Sequence, residues 1–329
     1  MAQLDNLFLN ACKNGQKSVV QTFLKRGGID LDKRDAMGFT ALTYACRRGA
    51  RDIVSLLLDG GADATLAAND STTPLHAVAK SGNKEIIHLL ADHGADLNAS
   101  DRDGNTPLMC MTKEGRVDAA LLLLELGADP ALTDHEGHSA LDQATVAGLR
   151  ELVAALTQGG VAVDKRDSFG NTPLHQACWN GQSEVVRALL AQEGCQVDVL
   201  NDDGESPLFL AVQKGTLNVA ELLLASGASP KLRLNSGDTP LHLAAARGDQ
   251  YMGKGLLASD ALVDDKNEDG YTPLILAAKN GHNDFTALLI EQGADVNAAD
   301  NGGHTALYYA TEAGYNEIVE QLLIAGAEG

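Results

Sequence analysis

The 329-residue sequence predicts an all-α repeat solenoid, and three observations carry that expectation. First, one short motif returns about every 33 residues. It stands at Thr73-Pro74-Leu75-His76, Thr106-Pro107-Leu108, Thr172-Pro173-Leu174-His175, Ser206-Pro207-Leu208, Thr239-Pro240-Leu241-His242, Thr272-Pro273-Leu274 and Thr305-Ala306-Leu307-Tyr308. Thr40-Ala41-Leu42 and Ser139-Ala140-Leu141 fill the gaps in phase, and Asn6-Leu7-Phe8 opens the series. Second, a glycine stands nine residues after each of the ten start points, from Gly15 and Gly49 to Gly281 and Gly314. Third, the apolar residues that follow fall at helical spacing, as in Ile53-Val54 with Leu56-Leu57 and Ile86-Ile87 with Leu89-Leu90. A unit this short cannot bury its own apolar face, so a fixed period of this length marks units stacked on their neighbours.

The elements of one unit follow in order. Thr or Ser opens it, its hydroxyl accepting a hydrogen bond from a free N–H at the helix start. Proline often follows, at the first helical position, where its missing N–H costs nothing. The in-phase glycine ends this short first helix in the left-handed conformation. A second helix carries the paired apolar residues and stops at Gly-Ala-Asp, as in Gly61-Ala62-Asp63, Gly94-Ala95-Asp96, Gly127-Ala128-Asp129 and Gly293-Ala294-Asp295. A polar run such as Asp101-Arg102-Asp103-Gly104-Asn105 then turns as a finger projecting from the stack. The eighth unit departs from this scheme. Its second helix holds Gly253 and Gly255, and it exits through Ser259-Asp260-Ala261-Leu262. Each interior glycine costs about 1 kcal/mol relative to alanine, so a local distortion or early opening is expected there.

These residues resemble the ankyrin repeat, from about Leu4 to the end of the chain. The resemblance implies one continuous domain, 1–329, of helix–turn–helix units with β-hairpin fingers and a concave groove that holds other proteins. By the family pattern, the groove receives the finger residues four, three and one before each start, and the two residues before the in-phase glycine. On that placement the candidate partner-binding residues are Trp179 and Asn180, Phe169 and Asn171, and the acidic finger Asp202, Asp203 and Glu205. Arg47, Arg48, Phe39, His138 and Tyr271 complete the set. Trp179, the one tryptophan, stands where other units carry Arg47, Lys80, Lys113 or Lys279. Exposed aromatics are the residue type that anchors interfaces. Basic side chains on the helix ends and acids on the fingertips read as a cationic floor and acidic rim that orient one partner.

Composition sets the outer bounds. A single globular core of this size would be expected to split, whereas a solenoid's core is one-dimensional. The net charge of −20 is unevenly spread: residues 1–165 hold 16 basic and 22 acidic side chains, residues 166–329 hold 9 and 23. Such a field argues against nucleic acid and anionic membranes and favours a protein partner with a basic face. No apolar run approaches a membrane span, and Met1–Asp5 shows no secretory leader. Cys12, Cys46 and Cys178 share one repeat position and, with Cys110 and Cys195, read as reduced core thiols of a cytoplasmic protein. Asp265-x-Asn267-x-Asp269-Gly270 begins like a calcium loop, but Leu276 stands where the twelfth-position glutamate is needed. The recurring His76, His175 and His242 read as structural, and His135 with His138 lack further ligands. No nucleophile, phosphate-binding or metal motif is present, so neither catalysis, metal nor cofactor is expected. The expected function is a non-catalytic module, a monomer before binding, that sequesters or inhibits one protein partner, as immunity-type inhibitors do. The alternative is a scaffold or effector bridging two partners.

Overall fold

The computed structural model describes residues 2–328, and the described residues form ten successive helix pairs. Ala41–Arg48 with Arg51–Asp59 make the second repeat, Pro173–Trp179 with Ser183–Leu190 the sixth, and Ala306–Ala313 with Asn316–Ile324 the tenth. The described chain divides into two compact units, 1–162 and 163–329, each built of five such pairs.

The start signals act as expected. From Thr40 to Thr305, each Thr or Ser side chain accepts from the backbone N–H three residues on. The in-phase glycines all take a left-handed backbone, with φ between 65° and 76°. The first unit differs, because Asn6 lies inside its opening helix, Ala2–Lys13, rather than before it. In the third repeat the first helix is only Pro74–Ala77, continued by a 3₁₀ turn over Val78–Lys80.

From the second repeat on, each repeat contributes the same apolar rungs. Leu42, Leu75, Leu108 and Leu141 in the first unit, and Leu174, Leu208, Leu241 and Leu274 in the second, are buried just inside their first helices. The second helices add Leu57, Leu90, Leu123 and Leu156, then Leu189, Leu223, Leu256, Leu289 and Leu322, all without solvent exposure. Burying a leucine stabilises by about 1.5–3 kcal/mol, so these periodic rungs outweigh any single exposed contact. Polar ties add register between repeats: Asp32 accepts from the Asp63 N–H, Asn98 from Asp129, Asp198 from Ser229 and Asp264 from Asp295.

Two expectations meet a different structure. The fingers are tight turns rather than hairpins of strands; among the described residues only the bridges Thr133–Ser139 and Ala299–Thr305 pair in the antiparallel manner. In seven fingers an Asp or Asn side chain takes up two of the turn's own N–H groups, the two bridged fingers included. The eighth repeat's second helix, Gln250–Ala258, is continuous. A side chain at Gly253 would meet the Phe285 ring at 2.6 Å, so this glycine makes room for a large neighbour in the next repeat. Its exit does carry strain, with Asp260 at φ 78°.

Candidate functional site

Seven fingers share one rigid frame. Asp35 Oδ1 accepts from the N–H groups of Met37 and Phe39, Asp101 from Asp103 and Asn105, and Asp134 from Glu136 and His138. Asp167 does so for Phe169 and Asn171, Asn201 for Asp203 and Glu205, Asn267 for Asp269 and Tyr271, and Asp300 for Gly302 and His304. Neighbouring fingers are tied by single backbone bonds, among them Asn69 N–H to Met37 O and Asp202 N–H to Phe169 O. The projecting side chains therefore start from fixed backbone positions.

In the unit 163–329, Trp179 closes its helix and is 46% exposed, with Asn180 exposed beside it. The Lys214 ammonium, from the next repeat, lies 3.5 Å from the centre of the Trp179 ring. Phe169 is 69% exposed at its fingertip. Asn171 and Glu205 are only partly exposed and work inside the fold. Asn171 Oδ1 accepts from Asn201 Nδ2, which also donates to Glu205 Oε2. Asp202 and Asp203 face solvent, with Asp202 3.7 Å from the Arg166 guanidinium.

Tyr271 belongs to a separate cluster further along the same unit. Its hydroxyl accepts from Lys279 Nζ at 3.1 Å and lies 3.5 Å from that of Tyr309, which donates to Asp300 at 2.6 Å. The bond with Tyr309 and the one from Lys279 lower the Tyr271 pKa, while the bond to Asp300 raises that of Tyr309. Tyr308, 44% exposed, stacks on His304 at 4.2 Å. Sequence reasoning missed Tyr309 and Lys214; the signal available for Tyr309 was that it and Tyr44 occupy the same position, four residues into their first helices.

In the unit 1–162, Arg47 and Arg48 are exposed, and Phe39 is half-buried edge-on against Tyr44, with ring centres 5.6 Å apart. Tyr44 donates to Asp35 Oδ2 at 2.6 Å. Burial and that bond push the tyrosine up to about 12. Burial opposes the charge on Asp35, yet the hydrogen bonds from Tyr44, Phe39 and Met37 together hold its pKa below the usual range. Phe39 and Arg47 border a cleft of about 260 Å³ that reaches Cys110, whose thiol burial pushes up to about 12. His138 is exposed three repeats on from Phe39, 3.5 Å from Glu136 and 3.6 Å from Asp134. The structure thus groups Phe39 with Arg47 on one cleft, joins the fingers of repeats six and seven through Phe169 and Asp202, sets Trp179 against Lys214, and leaves His138 and Tyr271 in separate places.

A family model described as ankyrin repeats (three copies) matches residues 4–68, 61–134, 126–200, 190–267 and 241–329. Over 72 residues, 22% of this chain, the sequence is 40% identical to BCL-6 corepressor-like protein 1 of Homo sapiens. It is 38% identical over 71 residues to the Mus musculus protein of that name. The matched segment makes up 4% of the length of either relative. Among the described residues, no helix is long and apolar enough to cross a membrane.

Proposed function

This chain belongs to the ankyrin-repeat family, and we propose that it binds one protein partner stoichiometrically, sequestering or inhibiting it, with Trp179 as an anchor. Ankyrin repeats are protein–protein interaction modules, and a matching model spans the chain. The observation that carries the reading is Trp179: the one tryptophan is left 46% exposed at a helix end, in a repeat whose fingertip also exposes Phe169. An aromatic kept in water at a cost in hydration is the kind of side chain that dominates binding energy when covered. The partner presents a basic face to the acidic fingers and the chain waits for it as a cytoplasmic monomer, all ten repeats acting as one binding domain without cofactor or metal.

The test is affinity purification of the partner, followed by titration against Trp179→Ala. Loss of the Lys214–indole contact at an exposed site costs about 0.5–1 kcal/mol of stability. Truncating an interface anchor costs about 2 kcal/mol of affinity, roughly thirtyfold. A large loss of stability with affinity intact would place Trp179 in packing instead. Bridging of two partners is the second reading, favoured by the charge difference between the halves; it requires a second protein to be captured whose binding is insensitive to Trp179→Ala.

A further inference from the structure

The cleft in the unit 1–162 exists because the third repeat is small where the second is large. Ala77 stands at the position of Tyr44 and Cys110, and Thr72 at that of Phe39 and Asn105. The opening is therefore walled by the Phe39–Tyr44 pair on one side and by the fourth repeat on the other. Its volume of about 260 Å³ falls short of the roughly 300–1,000 Å³ of small-molecule and cofactor sites. It is the size of one or two side chains. Two irregularities coincide with it: the 3₁₀ turn over Val78–Lys80, and the left-handed backbone of Ser71 at φ 63°. Strain of that kind collects at binding sites.

The charges around the cleft are sorted. Lys80 is bound to Glu114, and Lys113 donates to Asn105 Oδ1. Asp101 accepts from Asp103 and Asn105, Asp70 from Thr72, and Asp35 from Tyr44 and its own finger. Lys13 lies 4.9 Å from the centre of the Tyr44 ring. Arg47 alone among the charged groups lining the cleft has a side chain with neither a hydrogen bond nor an ion pair to any described residue. Its guanidinium offers five donors beside an aromatic wall whose own hydroxyl is already committed to Asp35.

We propose that this cleft is the recognition pocket for an extended, internal segment of the protein partner, seating one apolar side chain against Phe39 and Tyr44 while an adjacent Asp or Glu pairs with Arg47. The assignment rests on the protein-binding reading above and adds what this part of the face selects. A side-chain carboxylate fits better than a chain terminus, because terminal carboxylates are captured by converging backbone N–H groups, whereas the donors offered here are those of the Arg47 side chain. Arginine holds a carboxylate through two parallel bonds, which a neutral or basic residue cannot replace.

The probe is a library of random heptapeptides displayed inside a loop, so that no free terminus is offered, selected on the full-length protein. Enrichment of Asp or Glu next to Leu, Met or Phe is expected. Resynthesised peptides should bind Arg47→Ala at least about tenfold more weakly, the scale of a lost charged hydrogen bond. Arg47→Glu should turn the selected charge to Lys or Arg. Ala77→Tyr should fill the cleft and abolish binding with an unchanged melting temperature. Failure to select peptides, absence of an acidic preference, or an acidic preference that survives Arg47→Glu overturns the pocket. Non-acidic peptides that still bind Ala77→Tyr overturn it too, while leaving the protein-binding function intact.

Discussion

Eight fingers place glycine where the backbone turns left-handed, and the third places Ser71 there. A side chain in that region costs about 1–2 kcal/mol, against roughly 0.5–1 kcal/mol that glycine loses in chain entropy. Ser71→Gly should therefore stabilise by about 0.5–1 kcal/mol, read as a higher urea midpoint; a lower midpoint would mean that the hydroxyl holds the finger. The two glycines of the eighth repeat separate a packing effect from a propensity effect. A Cβ at Gly255 meets nothing within 4 Å, so Gly255→Ala should stabilise by about 1 kcal/mol. At Gly253 the same methyl runs into Phe285, and overpacking of about 1–3 kcal/mol outweighs the helical gain. Gly253→Ala is expected to destabilise, and Phe285→Ile in the same chain to relieve it. The periodic pattern could not tell these glycines apart. Other repeats pair Val54 with Ile86, and this one exchanges the volumes across a gap of 32 residues in sequence.

At the scale of the element, the first helices were legible because their determinants are local: a hydroxyl cap, a proline with no N–H to satisfy, and a glycine in phase. The fingers were only half legible, since their turns follow from Asp, Asn and Gly but the side-chain bonds within them depend on rotamer. The exposure of Arg47 and Trp179 at their helix ends could be read from phase alone, whereas the Tyr271–Lys279–Tyr309 cluster depends on contacts between repeats. Histidine supplies the testable case. In three first helices Nδ1 accepts from a threonine N–H, at 3.2 Å for His76 and 3.1 Å for His175 and His242. Nε2 then donates to the carbonyl of Asn105, Glu205 or Tyr271. That geometry requires the neutral ring, and burial lowers all three pKa values below the usual 6.5. The unfolded chain binds these protons first. Stability is therefore full above about pH 6.5 and falls as pH drops below it toward the folded values, by up to about 1.4 kcal/mol per pH unit for each histidine. Urea midpoints at pH 7.5 and 5.5 should differ, and substituting all three by glutamine should flatten that difference; a midpoint indifferent to pH in the unsubstituted protein would rule the linkage out.

For the whole molecule the dominant electrostatic fact is surplus negative charge. Residues 1–162 hold 15 basic and 21 acidic side chains, and residues 163–329 hold 10 and 24. The ion pairs that offset it lie mostly at the surface, as do Lys17–Asp52, Arg51–Glu85 and Lys231–Asp260, and each is worth about 0–1 kcal/mol. Salt weakens such pairs and weakens repulsion as well, so the sign of its effect shows which prevails. With 14 unmatched negative charges after residue 162 against 6 before it, repulsion should prevail, and most strongly in the second unit. Raising the ionic strength from about 0.01 M to about 0.1 M shortens the screening distance from about 30 Å to about 10 Å, less than the span of several repeats. Melting temperature is therefore expected to rise with salt. Residue-resolved hydrogen exchange on the intact chain should show amides around Leu223 and Leu256 gaining more protection than those around Leu57 and Leu90. Equal gains in the two units, or a melting temperature that falls, would mean that the ion pairs outweigh the surplus charge, and that the acidic fingers are balanced within the fold instead of being held open for a basic partner.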